Sequence, residues 1–363
     1  MKPQIIKSSV RQRLSWIIGR FLSLGASLAL LLSMSVASAQ GQNSYTKTKL
    51  VSDVPGRAQF TDPNLVNGWG IALGGVFWVS DNGTGVSTLY ALDGTPQSLV
   101  VTIPPTSANS GGISAPTGQV FNAGTGFVVS GGSGSGPAFF IFVSEDGGIS
   151  GWNPSADPTN AILVIDHSPQ DAVYKGVAIS DSFDRLYVAD FHNNRVEIYD
   201  QNFTEIDTSS TFLDPTLHVG YAPFGIQSIN GQIYVAYAKQ DADGEDDVPG
   251  AGHGYVSVFD TSGNFIKRLI SRGPLNSPWG MALAPAGFGF ASGKLLVGNF
   301  GNGRINVFDP DTGEGSGPLR KSNGLILTTD GLWGLSFADG TLYITAGPED
   351  ETHGLFAKIT VNP

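Results

Sequence analysis

Short runs of alternating apolar and polar residues, separated by turns rich in Gly, Asn and Asp, make up most of the chain. Two stretches nearly repeat one another: "RLYVADFHNNRVEIYD" from Arg185 to Asp200, and "KLLVGNFGNGRINVFD" from Lys294 to Asp309. Alternation with a period of two is typical of β-strands, and no segment after residue 40 has a convincing helical period. The pattern therefore predicts an all-β fold.

A short motif centred on glycine occurs six times and gives the chain its repeat. The six glycines are Gly70, Gly118, Gly176, Gly225, Gly280 and Gly334. They are separated by 48, 58, 49, 55 and 54 residues, and two further β-rich runs follow each motif. In the second copy these runs are taken to be "FVVSG" at Phe127 and "AFFIFVSEDG" at Ala138. A repeat of about 50 residues built from short strands indicates a six-bladed β-propeller, because a β-solenoid would need shorter rungs.

The ring is expected to be closed by an N-terminal strand. The last copy of the repeat has only three evident strands before Pro363, whereas "YTKTKLVSDV", from Tyr45 to Val54, alternates as a strand should. An unpaired strand edge invites aggregation, so this segment is predicted to complete the final blade. Deleting residues 40–54 is expected to lower the melting temperature by several degrees.

The first 39 residues are predicted to be a signal peptide. Five Lys and Arg residues precede or flank the apolar run "FLSLGASLALLLSMSV" at Phe21, and "ASA" at Ala37 supplies small residues before a cleavage site near Gln40. The apolar run is shorter than the roughly 20 residues that a membrane-spanning helix needs. Residues 40–363 are then one six-bladed propeller domain, exported to the periplasm or the outside of the cell.

The charge balance limits the classes of binding partner. Without residues 1–39 the chain keeps 15 basic against 31 acidic residues, a net charge of −16, and it has no cysteine. Such a surface repels nucleic acid and anionic lipid. We expect a monomer without nucleic acid, without a membrane span and without disulfides, whose partner is a small molecule, a glycan or a protein.

Four strings resemble a known family: "LVSDVPGRAQFTDPNLVNGWGIA", "FWVSDNGTGVSTLY", "SPWGMALAP" and "GPEDETHGLF". They resemble a group of uncharacterised secreted bacterial proteins that often accompany the PEP-CTERM protein-sorting system. That group is similar to NHL-type six-bladed propellers. The resemblance spans roughly Leu50 to Phe356 and implies a propeller and an exported location. It brings no established activity.

Strand direction predicts which residues share one face of the ring. In an antiparallel meander, the segment leading into the innermost strand and the turn after the second strand emerge on the same side. We call this side the axial face. The ligand-binding candidates on it are Trp69, Lys175, His192, Lys239, Trp279, Trp333 and His353. The opposite face is expected to carry small, acidic, Gly-rich turns that offer a ligand little to hold.

The roles of these residues have structural alternatives. The three tryptophans share one repeat position, where packing between blades is favoured over an aromatic rim around a pocket. His192 and His353 are the candidates for an acid, a base or a ligand. The chain has no Gly-x-Ser-x-Gly, His-Glu-x-x-His or Walker motif, so hydrolase and nucleotide-binding functions lack a motif.

Two groups of residues are candidates for Ca²⁺, the one cofactor considered. The first is the acidic insertion in blade four, with Asp241, Asp243, Glu245, Asp246 and Asp247, for which a flexible acidic loop is the favoured alternative. The second is an axial set at strand ends, where turn-capping is favoured: Asp81, Asn82, Asp190, Asn299 and Asp350.

Three functions fit the sequence. The favoured one is a non-catalytic binding or scaffold module with its ligand on the axial face. The alternative is a Ca²⁺-dependent lactonase- or lyase-like propeller enzyme with an axial metal. A quinone-dependent dehydrogenase is less favoured, because the basic and aromatic contacts to such a cofactor are not recognisable.

Overall fold

The computed structural model describes residues 43–363, in which nearly all regular structure is β-strand. The predicted signal peptide, residues 1–39, lies outside this part of the chain. Among the residues described, no helix combines the length and the apolar character that crossing a membrane requires.

The first half of the chain forms twelve strands. Two precede the first blade: β1 Tyr45–Ser52 and β2 Phe60–Thr61. Blade one has β3 Gly68–Gly74, β4 Val76–Asp81, β5 Val86–Tyr90 and β6 Pro96–Thr102. The next stretch has β7 Pro116–Phe121, β8 Val128–Gly131, β9 Gly134–Pro137, β10 Phe140–Ser144, β11 Gly148–Trp152 and β12 Ile162–Asp166.

The second half forms the remaining strands. Blade three has β13 Tyr174–Ile179, β14 Arg185–Asp190, β15 Arg195–Asp200 and β16 Glu205–Ile206. Blade four has β17 Tyr221–Ile229, β18 Gln232–Lys239, β19 Tyr255–Phe259 and β20 Phe265–Ser271. Blade five has β21 Pro278–Leu283, β22 Leu295–Asn299, β23 Ile305–Phe308 and β24 Gly315–Pro318. The last strands are β25 Leu332–Ala338, β26 Thr341–Ala346 and β27 Leu355–Val361. Short 3-10 helices occur at Ser168–Gln170, Gly289–Ala291 and Phe300–Asn302.

The strands form six four-stranded antiparallel blades, which confirms the predicted propeller. The sixth blade has the order β25, β26, β27, β1, with β2 added in parallel outside β1. Strand β1 pairs with β27 from Tyr45 opposite Val361 to Ser52 opposite Leu355. The N-terminal strand therefore closes the ring as predicted. Apolar clusters fill the spaces between neighbouring blades.

The six phased glycines have a common physical cause. A Cβ added at Gly70 would lie 2.5 Å from the carbonyl oxygen of Thr117 in the next blade, and one at Gly225 would lie 2.0 Å from that of Trp279. A Cβ added at any of the other four glycines would likewise lie 2.8 Å or less from a backbone atom in the innermost strand of the next blade: Gly118, Gly176, Gly280 and Gly334. Innermost strands this close leave no room for a side chain, so the repeat position requires glycine.

The predicted strand assignment in blade two is wrong. Strand β8, which contains "VVSG", pairs only with β9 in a separate hairpin, and the second strand of the blade is β10. All five residues of β10 are buried, whereas Val128 and Ser130 of β8 are exposed. Both runs are short and apolar enough to pass as strands, and an inserted hairpin has no signature of its own in the alternation.

Candidate functional site

A plug of aromatic rings fills the axis of the propeller on the axial face. Trp69 and Trp333 are stacked with ring centroids 3.6 Å apart, and Phe300 stacks on Trp333 at 4.0 Å. Five blades contribute to the cluster, which comprises Trp69, Phe191, Phe224, Trp279, Phe300 and Trp333. Rings from so many blades can touch one another only at the axis. The tryptophans are therefore packing residues, at the axis rather than between adjacent blades.

Two indole N–H groups, those of Trp279 and Trp333, tie this plug to the polar layer above it, whereas the buried Nε1 of Trp69 has no partner in residues 43–363. Trp333 Nε1 donates to Asn67 Oδ1 at 3.0 Å, and Trp279 Nε1 donates to the backbone carbonyl of Lys175 at 2.8 Å. The side chains of Trp69 and Trp333 are almost completely buried, and Trp279 is half-buried. The plug thus closes the axis beneath the polar layer.

Lys175 lies at the centre of the polar layer. Its side chain is only 2% exposed, and its ammonium group bonds to Glu145 and to Asp246 Oδ1, the latter at 3.0 Å. The same nitrogen lies 5.5 Å from the ring centroid of Trp69. Burial alone would lower the pKa of Lys175, but the charges of Glu145 and Asp246 outweigh it and raise the pKa above its ordinary value. Lys175 is therefore charged at neutral pH.

Amide side chains extend this layer to the sixth blade. Asn82 Nδ2 donates to Glu145 Oε2 at 2.8 Å, and Asn67 Nδ2 donates to Asn82 Oδ1 at 3.2 Å. The same amide group of Asn67 donates to Glu351 Oε2 at 2.5 Å. One hydrogen-bonded chain therefore runs from Lys175 to Glu351. We call these residues the axial network: Asn67, Asn82, Glu145, Lys175, Asp246 and Glu351.

The acidic insertion of blade four folds over this network. It is closed by an antiparallel bridge between Gln240 and Asp247, and Asp241 Oδ1 accepts from the backbone N–H of Glu245 at 3.0 Å. Asp246 reaches Lys175 although its side chain is 75% exposed. Asp247 lies beside the Ser277 hydroxyl, with one carboxyl oxygen buried and without a well-formed hydrogen bond. The carboxylates of the loop point to different partners.

Two carboxyl groups here ionise with difficulty. Burial raises the pKa of Glu351 to about 7, and the nearby charge of Glu145 adds to the effect. Burial also raises the pKa of Asp247 to about 6. Carboxyl groups that titrate close to neutral pH, gathered around one lysine, are typical of functional sites, although structural ion pairs produce them too.

The raised pKa of Glu351 predicts a pH-dependent stability difference. A carboxyl that holds its proton more tightly in the folded than in the unfolded state loses stabilising free energy as the pH rises between its two pKa values. We therefore expect Glu351→Gln to gain stability relative to the unmodified protein between pH 5 and pH 8. Melting temperatures of both proteins across this range measure the difference. A constant difference would contradict the predicted shift.

The other predicted ligand-binding residues lie elsewhere on this face. His192 is half-buried beneath the acidic loop, with its Nδ1 unpartnered 3.4 Å from where a Cβ of Gly244 would stand. The His353 ring pairs with Asp53 at 2.7 Å and with Glu349 at 3.4 Å, and the carbonyl of His353 accepts from the backbone N–H of Asn67 at 3.0 Å, at the edge of the axial network. Lys239 ends β18 opposite Tyr221.

The alternative axial metal set is not brought together. Asp81 is buried, and burial raises its pKa well above the ordinary value. Asp190 accepts from Asn193 and pairs with Arg195, and Asn299 donates to the carbonyl of Pro274. Asp350 is exposed on its turn, while Asn82 belongs to the axial network. Across residues 43–363, no three His, Cys, Asp or Glu side chains are grouped so as to hold a metal ion.

Three residues of the network, Asn67, Glu145 and Glu351, are not among the candidate site residues named from the sequence, and the reason is clearest for Glu145. It follows β10 directly, in the turn after the second strand of blade two. That is the repeat position from which the other candidates were drawn. The correct strand assignment in blade two would have placed Glu145 on the axial face.

Relatives of the chain exist among viral proteins. It is 35% identical over 325 residues to the uncharacterised protein R648 of Acanthamoeba polyphaga mimivirus, a match covering 85% of this chain and 78% of R648. It is 36% identical over 323 residues to the uncharacterised protein L690 of the same virus, covering 85% and 84% of the two chains. No protein-family model matches the chain.

Solved structures with the same fold have dissimilar sequences. A glucose dehydrogenase matches with a TM-score of 0.54 at 14% identity, covering 86% of this chain and 99% of that one. A streptogramin B lyase matches with a TM-score of 0.51 at 10% identity, covering 88% and 98%. At these identities the likeness establishes the six-bladed propeller fold and nothing about activity.

Proposed function

The chain belongs to the same family as the mimivirus proteins R648 and L690, and because their names state no activity, we propose its function from the axial face. The protein is a non-catalytic binding module that holds a small polar ligand above Lys175. The proposal rests on one observation: a connected layer of charged and amide groups lies over the aromatic plug. Together with the indole N–H of Trp279, which donates to the carbonyl of Lys175, this layer has contributions from all six blades.

The energetics favour a binding role over a purely structural one. Burying a lysine with its carboxylate partners costs desolvation free energy, and well-packed apolar side chains often stabilise such a position equally well or better. The aromatic plug alone is enough to seal the axis of the propeller. The charged layer above the plug is therefore better explained by a ligand than by the stability of the fold.

The balance of charges indicates the class of ligand. Four carboxyl groups, those of Glu145, Asp246, Asp247 and Glu351, surround the single ammonium group of Lys175. Such a site repels anions and offers many acceptors to hydroxyl and amine donors. We expect a neutral or amino-substituted glycan, or a comparable polyol, in preference to an acidic sugar.

Replacing Lys175 with methionine tests this function. The variant keeps an unbranched side chain of nearly the same length, but removes the ammonium group that Glu145 and Asp246 share and that lies over the ring of Trp69. We expect binding of neutral and amino glycans, measured on a glycan array and by calorimetry, to weaken by more than tenfold, about 1.4 kcal/mol.

A matched control separates binding from folding. Lys267→Met removes a surface lysine whose ammonium bonds only to the carbonyl of Asp311, and its affinity should equal that of the unmodified protein. Both variants should give the circular dichroism spectrum of the unmodified protein. Equal affinity for the Lys175 and Lys267 variants would refute the proposed site.

Catalysis is the second candidate, favoured by Glu351. A carboxyl with a pKa of about 7 can donate or accept a proton at neutral pH, as general acid–base catalysis requires. The hypothesis of a lactonase- or lyase-like enzyme with an axial Ca²⁺ has weaker support, because the candidate ligands of that ion lie apart. Calcium binding by the acidic loop also stays a prediction, and calorimetry with millimolar Ca²⁺ would test it.

Export stays a prediction too. It is supported by the signal-like composition of residues 1–39. The association with PEP-CTERM sorting rests on the resemblance alone, and the monomeric state on the charge of the chain. N-terminal sequencing of secreted material would show whether the protein is exported and cleaved near Gln40.

A further inference from the structure

The end of the axis opposite the axial network opens into a bowl. Three cavities of about 40, 390 and 260 Å³ lie there, and Gln227 borders all of them. Their linings come from the ends of the innermost strands of all six blades. A volume of this size is in the range of small-molecule sites.

The bowl is closed at its inner end. The smallest cavity is lined by the phased glycines, including Gly70, Gly118 and Gly334, and its 40 Å³ admit only a few water molecules. Beyond it the aromatic plug fills the axis. A ligand in the bowl must therefore enter from this side and cannot reach Lys175, so the bowl is independent of the site proposed above.

The wall of the bowl is mixed: its exposed surface is more polar than apolar, but apolar and aromatic side chains stand around the opening. Leu73, at the end of β3, is 37% exposed, and Phe121, Ile179, Leu283 and Phe337 are half-buried around the opening. These residues follow the glycine motif by three or more positions, where the innermost strands diverge. The expectation that this face offers a ligand little to hold considered the turns and not the strand ends, which line these cavities.

One carboxylate stands against this wall. Asp181 borders the two larger cavities and is the single charged residue in the lining of all three. Its Oδ1 accepts from the hydroxyl of Ser228 at 2.9 Å, and no Lys, Arg or His forms a salt bridge with it in residues 43–363. Its charge is thus available to a ligand.

From this combination we propose that the bowl binds a small organic ammonium ion with an apolar body. The ammonium group pairs with Asp181 and lies within reach of the amide of Gln227. The apolar body packs against Leu73, Phe121 and Phe337. An ammonium ion is attracted both by a carboxylate and by aromatic faces, and here the exposed carboxylate of Asp181 and the aromatic side chains border the same opening.

The proposal is tested with 2-phenylethylammonium chloride and the full-length protein. Calorimetry or ligand-observed NMR should detect binding, whereas phenylacetate, with the same ring and the opposite charge, should bind at least tenfold more weakly. Asp181→Asn keeps the acceptor for Ser228 and removes the charge, and we expect it to weaken binding of the ammonium ion at least tenfold. Leu73→Gln should weaken binding of both compounds.

Asp207→Asn is the matched control, because Asp207 is exposed, accepts a hydrogen bond from the backbone N–H of Ser209 at 2.9 Å and borders none of the three cavities. It removes the same charge without touching the bowl and should leave affinity unchanged. Three outcomes would overturn the proposal: no binding of the ammonium ion at 10 mM, equal binding of phenylacetate, or equal affinities of the Asp181 and Asp207 variants.

Discussion

A chain that begins at residue 55 should melt more than 10 °C below a chain that begins at Asn43. The shorter chain lacks β1, and with it three residues that are almost completely buried in the sixth blade: Tyr45, Leu50 and Val51. Burying an apolar side chain of this size contributes about 1.5–3 kcal/mol. The three together contribute about 4.5–9 kcal/mol, before the loss of the ladder with β27 is counted.

The two truncations differ in residues 43–54, so the shorter chain loses the closing strand together with the pairing of Asp53 with His353. In a domain of this size each kcal/mol moves the melting temperature by about 2–4 °C or somewhat less. The shorter chain should also aggregate on heating, because β27 becomes an exposed edge. Equal melting temperatures, by calorimetry on both purified chains, would show that the ring does not depend on its N-terminal strand.

The architecture was predictable because the sequence repeats. The six glycines recur for one reason, the close approach of innermost strands at the axis, and that reason acts once per blade. The closing strand was predictable because the sixth copy is one strand short and Tyr45–Ser52 alternates. In both cases a local pattern is enough to identify the structural role.

The site was only partly predictable, because the sequence pattern does not specify where side chains point or how far apart they lie. The shared position of Trp69, Trp279 and Trp333 is visible in the sequence, but the fact that their rings meet at the axis depends on ring closure. Lys175 was placed on the correct face. Its partner Glu145 was missed, because the hairpin β8–β9 displaced the strand assignment of blade two.

Contacts between distant segments account for the remaining differences. His353 pairs with Asp53, 300 positions earlier, and this contact exists because β1 docks against β27. Asp246 meets Lys175 because a long loop turns back over the axis. Neither the register of a closing strand nor the path of an insertion follows from hydrophobic alternation, which reports only which side of a strand is buried.

Replacing Gly225 with alanine should lower the free energy of unfolding by about 3 kcal/mol, at the upper end of the cost of overpacking a core. The new Cβ would stand 2.0 Å from the carbonyl oxygen of Trp279, a backbone atom that cannot rotate away. Moving it would push β21 outward and disturb the plug, in which the Trp279 ring packs. Urea denaturation measures the change. Gly132→Ala is the control, because a Cβ at Gly132 meets no atom within 4 Å, and it should change stability by less than about 0.5 kcal/mol. Similar stabilities of the two variants would mean that the innermost strands can move apart, and that the spacing of the glycine motif has a cause other than the close approach of strands at the axis.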